Sequence, residues 1–261
     1  MIAFLEPLIA NLVVATLVWL LSVYRHNAGL VDIVWPLLFL MAAVIWFPVT
    51  GAGPVQWLVM VLVVAWALRL AIHLARRNLG APEDRRYRAI RARNSPGFWW
   101  KSFFLVFVLQ AVLAWVASWV LFGVLQPESP GLGALSVAGC LLAALGFIVE
   151  TVADRQLDRF SRNPDNRGRV LDTGLWRYSR HPNYFGECCF WWGIFLVAAS
   201  AGAWWTLVSP LLMTVLLLRV SGVVLLEKDI AERRPGYRRY IRETPAFIPG
   251  PPRNSPAGEE G

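Results

Sequence analysis

One polar run, residues 171–187 (LDTGLWRYSRHPNYFGE), holds the side chains best suited to chemistry: Arg177, Arg180, His181, Asn183 and Glu187. Pro182 is excluded from a helix interior but suits the first turn, so the run predicts a helix starting near His181. The start of a helix collects unpaired backbone N–H groups and the positive end of the helix dipole. With Arg177, Arg180 and His181 just before it, such a start suits a phosphate-bearing ligand. Asn183 and Glu187, spaced i,i+4, share a face of that helix.

The elements that must position these groups are apolar. From Tyr184 through Trp191 and Trp192 to Val197 the sequence is hydrophobic on every side, as expected of a helix entering lipid. The whole chain agrees: of 261 residues 57% are apolar and only 16% charged, with a mean hydropathy of +0.50. Soluble proteins carry about a quarter charged residues, so the composition is that of an integral membrane protein. Seven apolar stretches of spanning length occur, at about 2–23, 30–49, 55–74, 102–125, 132–153, 183–200 and 204–226. The first is too long for a signal-peptide core and lacks a basic lead-in. The expected fold is all-α, a polytopic membrane protein with seven transmembrane helices in one domain over 1–261. Within it, 1–101 holds the N-terminal helices and a basic loop, 102–248 a cofactor-binding region, and 249–261 a flexible tail rich in Pro and Gly.

Charge placement gives the orientation. Of 25 Lys and Arg, eight lie in 76–101, seven in 154–180 and seven in 227–261, with Arg25 after the first stretch. The links after the second, fourth and sixth stretches carry none. By the positive-inside rule the N-terminus is outside and the C-terminus cytoplasmic. This placement also accounts for the net charge of +8 without nucleic acid as a partner. Asp32, Arg69, His73, Glu150, Asp154, Glu187, Arg219 and Glu227 then all fall in the cytoplasmic half of the bundle. Ionisable groups within a membrane are costly and mark a functional cavity or mutual pairing. The expectation is a polar pocket open to the cytoplasm beneath an apolar chamber, fit for a charged cosubstrate and a lipid-like substrate from the bilayer. The plainer alternative is snorkelling or ion pairing, for instance Arg69 with Asp32.

Several chemistries fall away. Three histidines, His26, His73 and His181, cannot supply the ligand clusters of a membrane di-iron centre, and no metal site is expected. There is no phosphate-binding glycine loop of soluble nucleotide domains. Cys140, Cys188 and Cys189 sit in apolar runs without metal-ligand or disulfide spacing. The loop 154–180, with seven arginines among Asp and Asn, can instead fold over a di- or trianion through bidentate contacts. Arg159, Arg167 and Arg169 read as solvated surface groups.

The string GLWRYSRHPNYFGE resembles the C-terminal signature of the steroid 5-alpha-reductase superfamily, which includes the sterol C14 reductases. The likeness extends over most of the chain: DIVWP at 32–36, RLAIHLARRN at 69–78, EDRRYRAIR at 83–91 and EKDIAERRPGYRRYIRETPAFIP at 227–249 are similar to a branch of unassigned activity. The resemblance implies a membrane enzyme moving hydride from NADPH to a carbon–carbon double bond. It implies that Asn183 and Glu187 hold the nicotinamide end and that Asp154 contacts the cofactor. Arg162 and Trp176 match phosphate- and adenosine-side positions, and Glu227 and Tyr240 match contacts from the last helix and tail. Arg180, His181 and Tyr184 complete the expected cofactor site, although His181 also suits a helix cap and Tyr184 suits interfacial packing.

The chain departs from the steroid reductases where a Gln-Glu pair on the second span polarises the steroid ketone. Here Asp32 stands there, and Val223 and Glu227 replace a His and Tyr of the last helix. Asp32, with His73, is therefore the expected catalytic group, stabilising a developing oxyanion; pairing with Arg69 or helix capping is the rival role. An isoprenylcysteine-type methyltransferase shares the RHP-x-Y-x-G core and a similar tail and would use S-adenosylmethionine. The acid at Glu187 and the Asn at 183 favour the reductase. A non-enzymatic lipid- or sterol-binding membrane protein is the third reading.

Overall fold

The computed structural model describes residues 2–47, 52–126, 131–220 and 236–253, and every regular element among them is helical. Helices α1 (Ile2–Arg25), α2 (Leu30–Trp46) and α3 (Pro54–Asn78) are followed by a short charged helix α4 (Arg85–Arg93). A continuous run comprises α5 (Phe98–Ser102), a π-helical turn (Phe103–Val108), α6 (Leu109–Ala117) and α7 (Trp119–Val124). Then come α8 (Ala134–Arg162), α9 (Pro182–Ser200), α10 (Val208–Val215) and α11 (Gly236–Glu243). Among the described residues four helical runs, Ala3–Arg25, Pro54–Asn78, Phe98–Val124 and Ala134–Arg162, are long and apolar enough to cross a membrane. Leu30–Trp46 and Trp204–Arg219 are shorter apolar helices.

The chain divides into two compact units, 1–137 with 194–209, and 138–193 with 210–261. In the first, α2 and α3 pack through Phe39 and Trp66, whose rings meet edge to face at 5.6 Å. Phe4 sits at the centre of a second aromatic cluster with Trp46, Trp115, Trp119, Phe122 and Trp205. Two of those indoles satisfy their N–H on α1 carbonyls, Trp46 on Ala3 and Trp115 on Phe4. A stripe of α1, including Ile9, Val13, Leu17 and Leu20, stays exposed, as lipid-facing side chains do. Gln56 is fully buried near the start of α3 and meets this cost through hydrogen bonds with the Gly53 N–H and the carbonyls of Val124 and Gln126.

The charged link after α3 is an ordered structure rather than a loose loop. Asp84 caps α4 by accepting from the Arg86 N–H at 2.8 Å. Glu83 accepts Arg91 Nε at 2.9 Å and Nη2 at 2.8 Å, and also the Ala28 N–H at 2.8 Å, which fastens α4 to the turn between α1 and α2.

In the second unit α8 and α9 run antiparallel with their backbones in near contact. A Cβ added at Gly186 would stand 2.5 Å from the Glu150 nitrogen and 2.7 Å from the Gly146 oxygen. One at Gly146 would stand 2.5 Å from the Gly186 oxygen, and Gly193 faces Gly139 and Ala143 just as closely. Gly139 and Gly146, like Gly186 and Gly193, are seven residues apart, so each pair lies on one helix face. Without a hydrophobic force between helices in lipid, small residues that admit close approach supply the packing. Cys188 and Trp192 on α9 in turn meet Thr214 of α10, the indole N–H donating at 3.1 Å.

Two boundaries differ from expectation. The fifth apolar stretch does not end at residue 153: α8 runs on to Arg162, because Leu157 and Phe160 keep an apolar face against Ala153, Leu171 and Trp176. The first nine residues of the expected arginine-rich loop are therefore helix. The second stretch ends at Trp46, with Phe47 extended.

Candidate functional site

Proline at the first position of α9 starts that helix as the sequence predicts. His181 occupies the cap position: its carbonyl accepts the Phe185 N–H at 3.0 Å, and its own N–H donates to Ser179 Oγ at 3.1 Å. Its ring is buried and stacks on Tyr184 with centroids 5.7 Å apart.

The close α8–α9 crossing sets the acidic groups of one helix beside the polar start of the other. Asn183 Nδ2 donates to Asp154 Oδ1 at 3.1 Å. Asn183 Oδ1 is buried and has no hydrogen-bond partner among the described residues. Such an orphaned acceptor forgoes about 1–3 kcal/mol until a donor reaches it. Glu150, Asp154 and Glu187 are 2%, 5% and 8% exposed, so three carboxyl side chains are buried in this unit. Glu150, one turn before Asp154 on α8, is among the ionisable groups expected in the polar pocket, but is not an expected cofactor contact. Its spacing of i,i+4 from Asp154 was the available signal, and the glycine pair at 139 and 146 was the signal for the crossing.

The segment leading into α9 is held by the C-terminal segment. Arg180 is buried and its Nη1 donates to the carbonyls of Ile241 at 2.8 Å and Thr244 at 3.1 Å, at the end of α11. A guanidinium on terminal helix carbonyls satisfies groups the helix leaves open and complements its dipole. The Arg180 N–H donates to the Pro245 carbonyl, Ser179 Oγ to that of Phe247, and the Gly250 N–H to that of Tyr178. Tyr240 donates its hydroxyl to the Trp176 carbonyl, while the Trp176 indole donates to the Ala153 carbonyl at 3.1 Å. Gly174, at φ +62°, makes this turn possible, since a Cβ there would meet the Gln156 side chain at 2.5 Å.

The expected cofactor residues thus separate into groups. Asp154, His181, Asn183, Tyr184 and Glu187 lie at the α8–α9 crossing or the first turns of α9. Arg180, Trp176 and Tyr240 have the hydrogen-bonding atoms just named on backbone carbonyls and build the frame behind that helix start. Arg162 is apart from both, its side chain 74% exposed at the end of α8 and 3.9 Å from Asp158. Glu227 lies outside the described residues, as does Val223.

The expected catalytic pair belongs to the first unit. Asp32 is in the first turn of α2, where it accepts Arg86 Nη2 at 2.9 Å and the Tyr87 hydroxyl at 2.6 Å. Its ion-pair partner is therefore Arg86 rather than Arg69, and its side chain is not the helix cap, a position held by Gly29. Arg86 and Tyr87 were not foreseen, because partners 54 and 55 residues away follow only from the folding of the charged link. His73 is half-buried on α3.

An uncharacterized protein of Schizosaccharomyces pombe is 27% identical over 279 residues, an alignment that covers 94% of this chain and 79% of that protein. No solved structure matches the chain. With several helices long and apolar enough to span a bilayer and a family model matching residues 18–244, the chain is an integral multi-pass membrane protein that belongs to the family described as protein of unknown function DUF1295.

Proposed function

We infer that the protein is a membrane reductase of the steroid 5-alpha-reductase type, using NADPH to saturate a carbon–carbon double bond of a flat, apolar enone lipid, steroid-like or isoprenoid. On this reading seven helices span the membrane, with the N-terminus outside and the cofactor site facing the cytoplasm. The observation that carries the reading is the buried, unpartnered Asn183 Oδ1, held by a bond from Nδ2 to Asp154. A carboxamide donor on a nicotinamide ring is the kind of group this acceptor lacks. Asn183, Glu187 and Tyr184 would hold that end of the cofactor, and Asp154 fixes the amide so that its oxygen, not its nitrogen, is offered.

The cofactor supplies hydride for the electron-poor carbon, and the protein positions, desolvates and provides the proton. The proton-side role is assigned to Asp32 and His73, with one refinement. Asp32 accepts from both Arg86 and Tyr87, so the group there with a proton to give is the Tyr87 phenol. The second reading, a methyltransferase using S-adenosylmethionine, is favoured by the burial of Glu150, Asp154 and Glu187, since buried carboxylates suit a cationic sulfonium better than phosphate.

Titration of the purified protein with NADPH and with S-adenosylmethionine separates these readings. Binding of NADPH, weakened in both Asn183→Ala and Glu187→Ala, is the expected result. Binding of the methyl donor alone ends the reductase reading, and binding of neither favours a lipid- or sterol-binding protein without catalysis.

A further inference from the structure

A pocket in the first unit, away from the α8–α9 residues in sequence, is unused by any of the chemistry above. It is a small, open pocket of about 50 Å³ between the end of α1, the turn into α2, α4 and α5. Its lining combines His26, Arg91, Phe98 and Trp99 with Ser22 and Ser102, whose hydroxyls already donate to the carbonyls of Trp19 and Trp99. Arg91 lies over the Phe98 ring at 4.5 Å while Glu83 holds its Nε and Nη2. This fixes the plane of the guanidinium and leaves Nη1 without a hydrogen bond among the described residues. His26 stands at φ +50°, in the left-handed region that Asn, Asp and His enter more often than other non-glycine residues, with its carbonyl 3.4 Å from Arg91 Nη2.

Two surroundings identify what such a pocket takes. Arg25, Arg88 and Arg93 are exposed in the same elements, so the local charge is positive even after Glu83 and Asp84 are counted. Apolar surface adjoins it as well: Leu17, Leu20, Leu21 and Tyr24 are exposed on the last turns of α1, and Trp99 and Trp100 are 61% and 47% exposed on α5. Exposed indoles beside charged residues mark the level of lipid headgroups. A free phosphate needs no apolar flank, whereas a phospholipid places its phosphodiester among the cations and its acyl chains along α1.

We propose that this pocket, with Arg91 and His26 as its donors, is a binding site for the phosphate headgroup of an anionic membrane phospholipid. It is independent of the reductase reading. The test measures the thermal unfolding midpoint of the full-length protein in detergent with added phosphatidylglycerol, phosphatidylcholine or inorganic phosphate. Phosphatidylglycerol alone is expected to raise the midpoint, since a ligand that binds the folded state stabilises it. His26→Gly removes the imidazole at a position whose backbone favours glycine, and Glu83→Gln with Arg91→Gln removes the cation together with its counter-charge. In each the shift is expected to fall at least twofold. An equal shift with phosphatidylcholine, a full shift with inorganic phosphate, or an undiminished shift in both variants overturns the proposal.

Discussion

Asn183 and Asp154 are joined across two helices by a hydrogen bond of 3.1 Å, and of the glycines that let those helices meet, Gly186 lies three residues after Asn183 and Gly146 eight before Asp154. The polar contact depends on the apolar one. Were α8 and α9 separated by ordinary side chains at the crossing, an amide and a carboxylate of this length would not reach one another.

Enlarging the crossing should therefore damage both stability and site. Gly186→Leu places carbon where the Glu150 nitrogen stands 2.5 Å from an added Cβ. Overpacking of this kind costs about 1–3 kcal/mol, more where backbone must move. The unfolding midpoint should fall, and cofactor affinity should fall in the same variant. Gly131→Leu, where nothing lies within 4 Å of an added Cβ, is the control and should do neither.

Asn183→Asp tests the polar bridge without changing volume. It replaces the Nδ2 donor with a second acceptor against Asp154 Oδ1. Loss of the bond and the like-charge approach should weaken NADPH by about 10-fold or more, a change of roughly 1.4 kcal/mol in binding. Fluorescence titration would read it. An unchanged Kd would place the nicotinamide elsewhere.

Arg180 is expected to matter for the C-terminal segment before it matters for phosphate. Arg180→Ala removes both bonds to the Ile241 and Thr244 carbonyls. Hydrogen bonds from charged donors contribute about 1.5–3 kcal/mol each when removed. Residues 236–253 should then become sensitive to limited proteolysis, at protein concentrations and temperatures where the parent resists. NADPH at saturation should not restore the resistance if the role is structural alone.

Acid should loosen the link between α3 and α5 at Glu83. Burial alone raises this carboxyl, but hydrogen bonds from Arg91 and the Ala28 N–H, with the charges of Arg91 and Arg88, hold it below its ordinary value. A value lowered by folding contributes stability that is complete above the unfolded-state value, about 4.3, and is lost as pH falls through the folded one. Hydrogen exchange in α4 should therefore accelerate, relative to other helices, between pH 5 and pH 3, ranges set by about the same reference value. Glu83→Gln should remove that pH dependence and leave α4 loose throughout.

Orientation is open to labelling. Cys140 and Cys188 are buried and Cys189 is half-buried, so with Cys189 replaced by Ser a cysteine introduced at the exposed position Arg167 stands out against a low background. It should react with a membrane-impermeant reagent only after cells are opened. Reaction in intact cells would reverse the inferred topology.

Composition and spacing alone established the membrane class, the apolar helices and the start of α9 at Pro182, because hydropathy, run length and proline geometry are local properties. They also marked Asp154, Asn183 and Glu187 as polar groups near the ends of apolar stretches. Three matters lay beyond them. Only the folded chain turned Arg180 onto the carbonyls of Ile241 and Thr244, tied Asp32 to Arg86 and Tyr87, and brought Asn183 to Asp154. Each of these joins residues from 29 to 64 positions apart. Which arginine meets an acid, a backbone carbonyl or solvent is decided by the packing of helices, and the side-chain types are the same in all three cases.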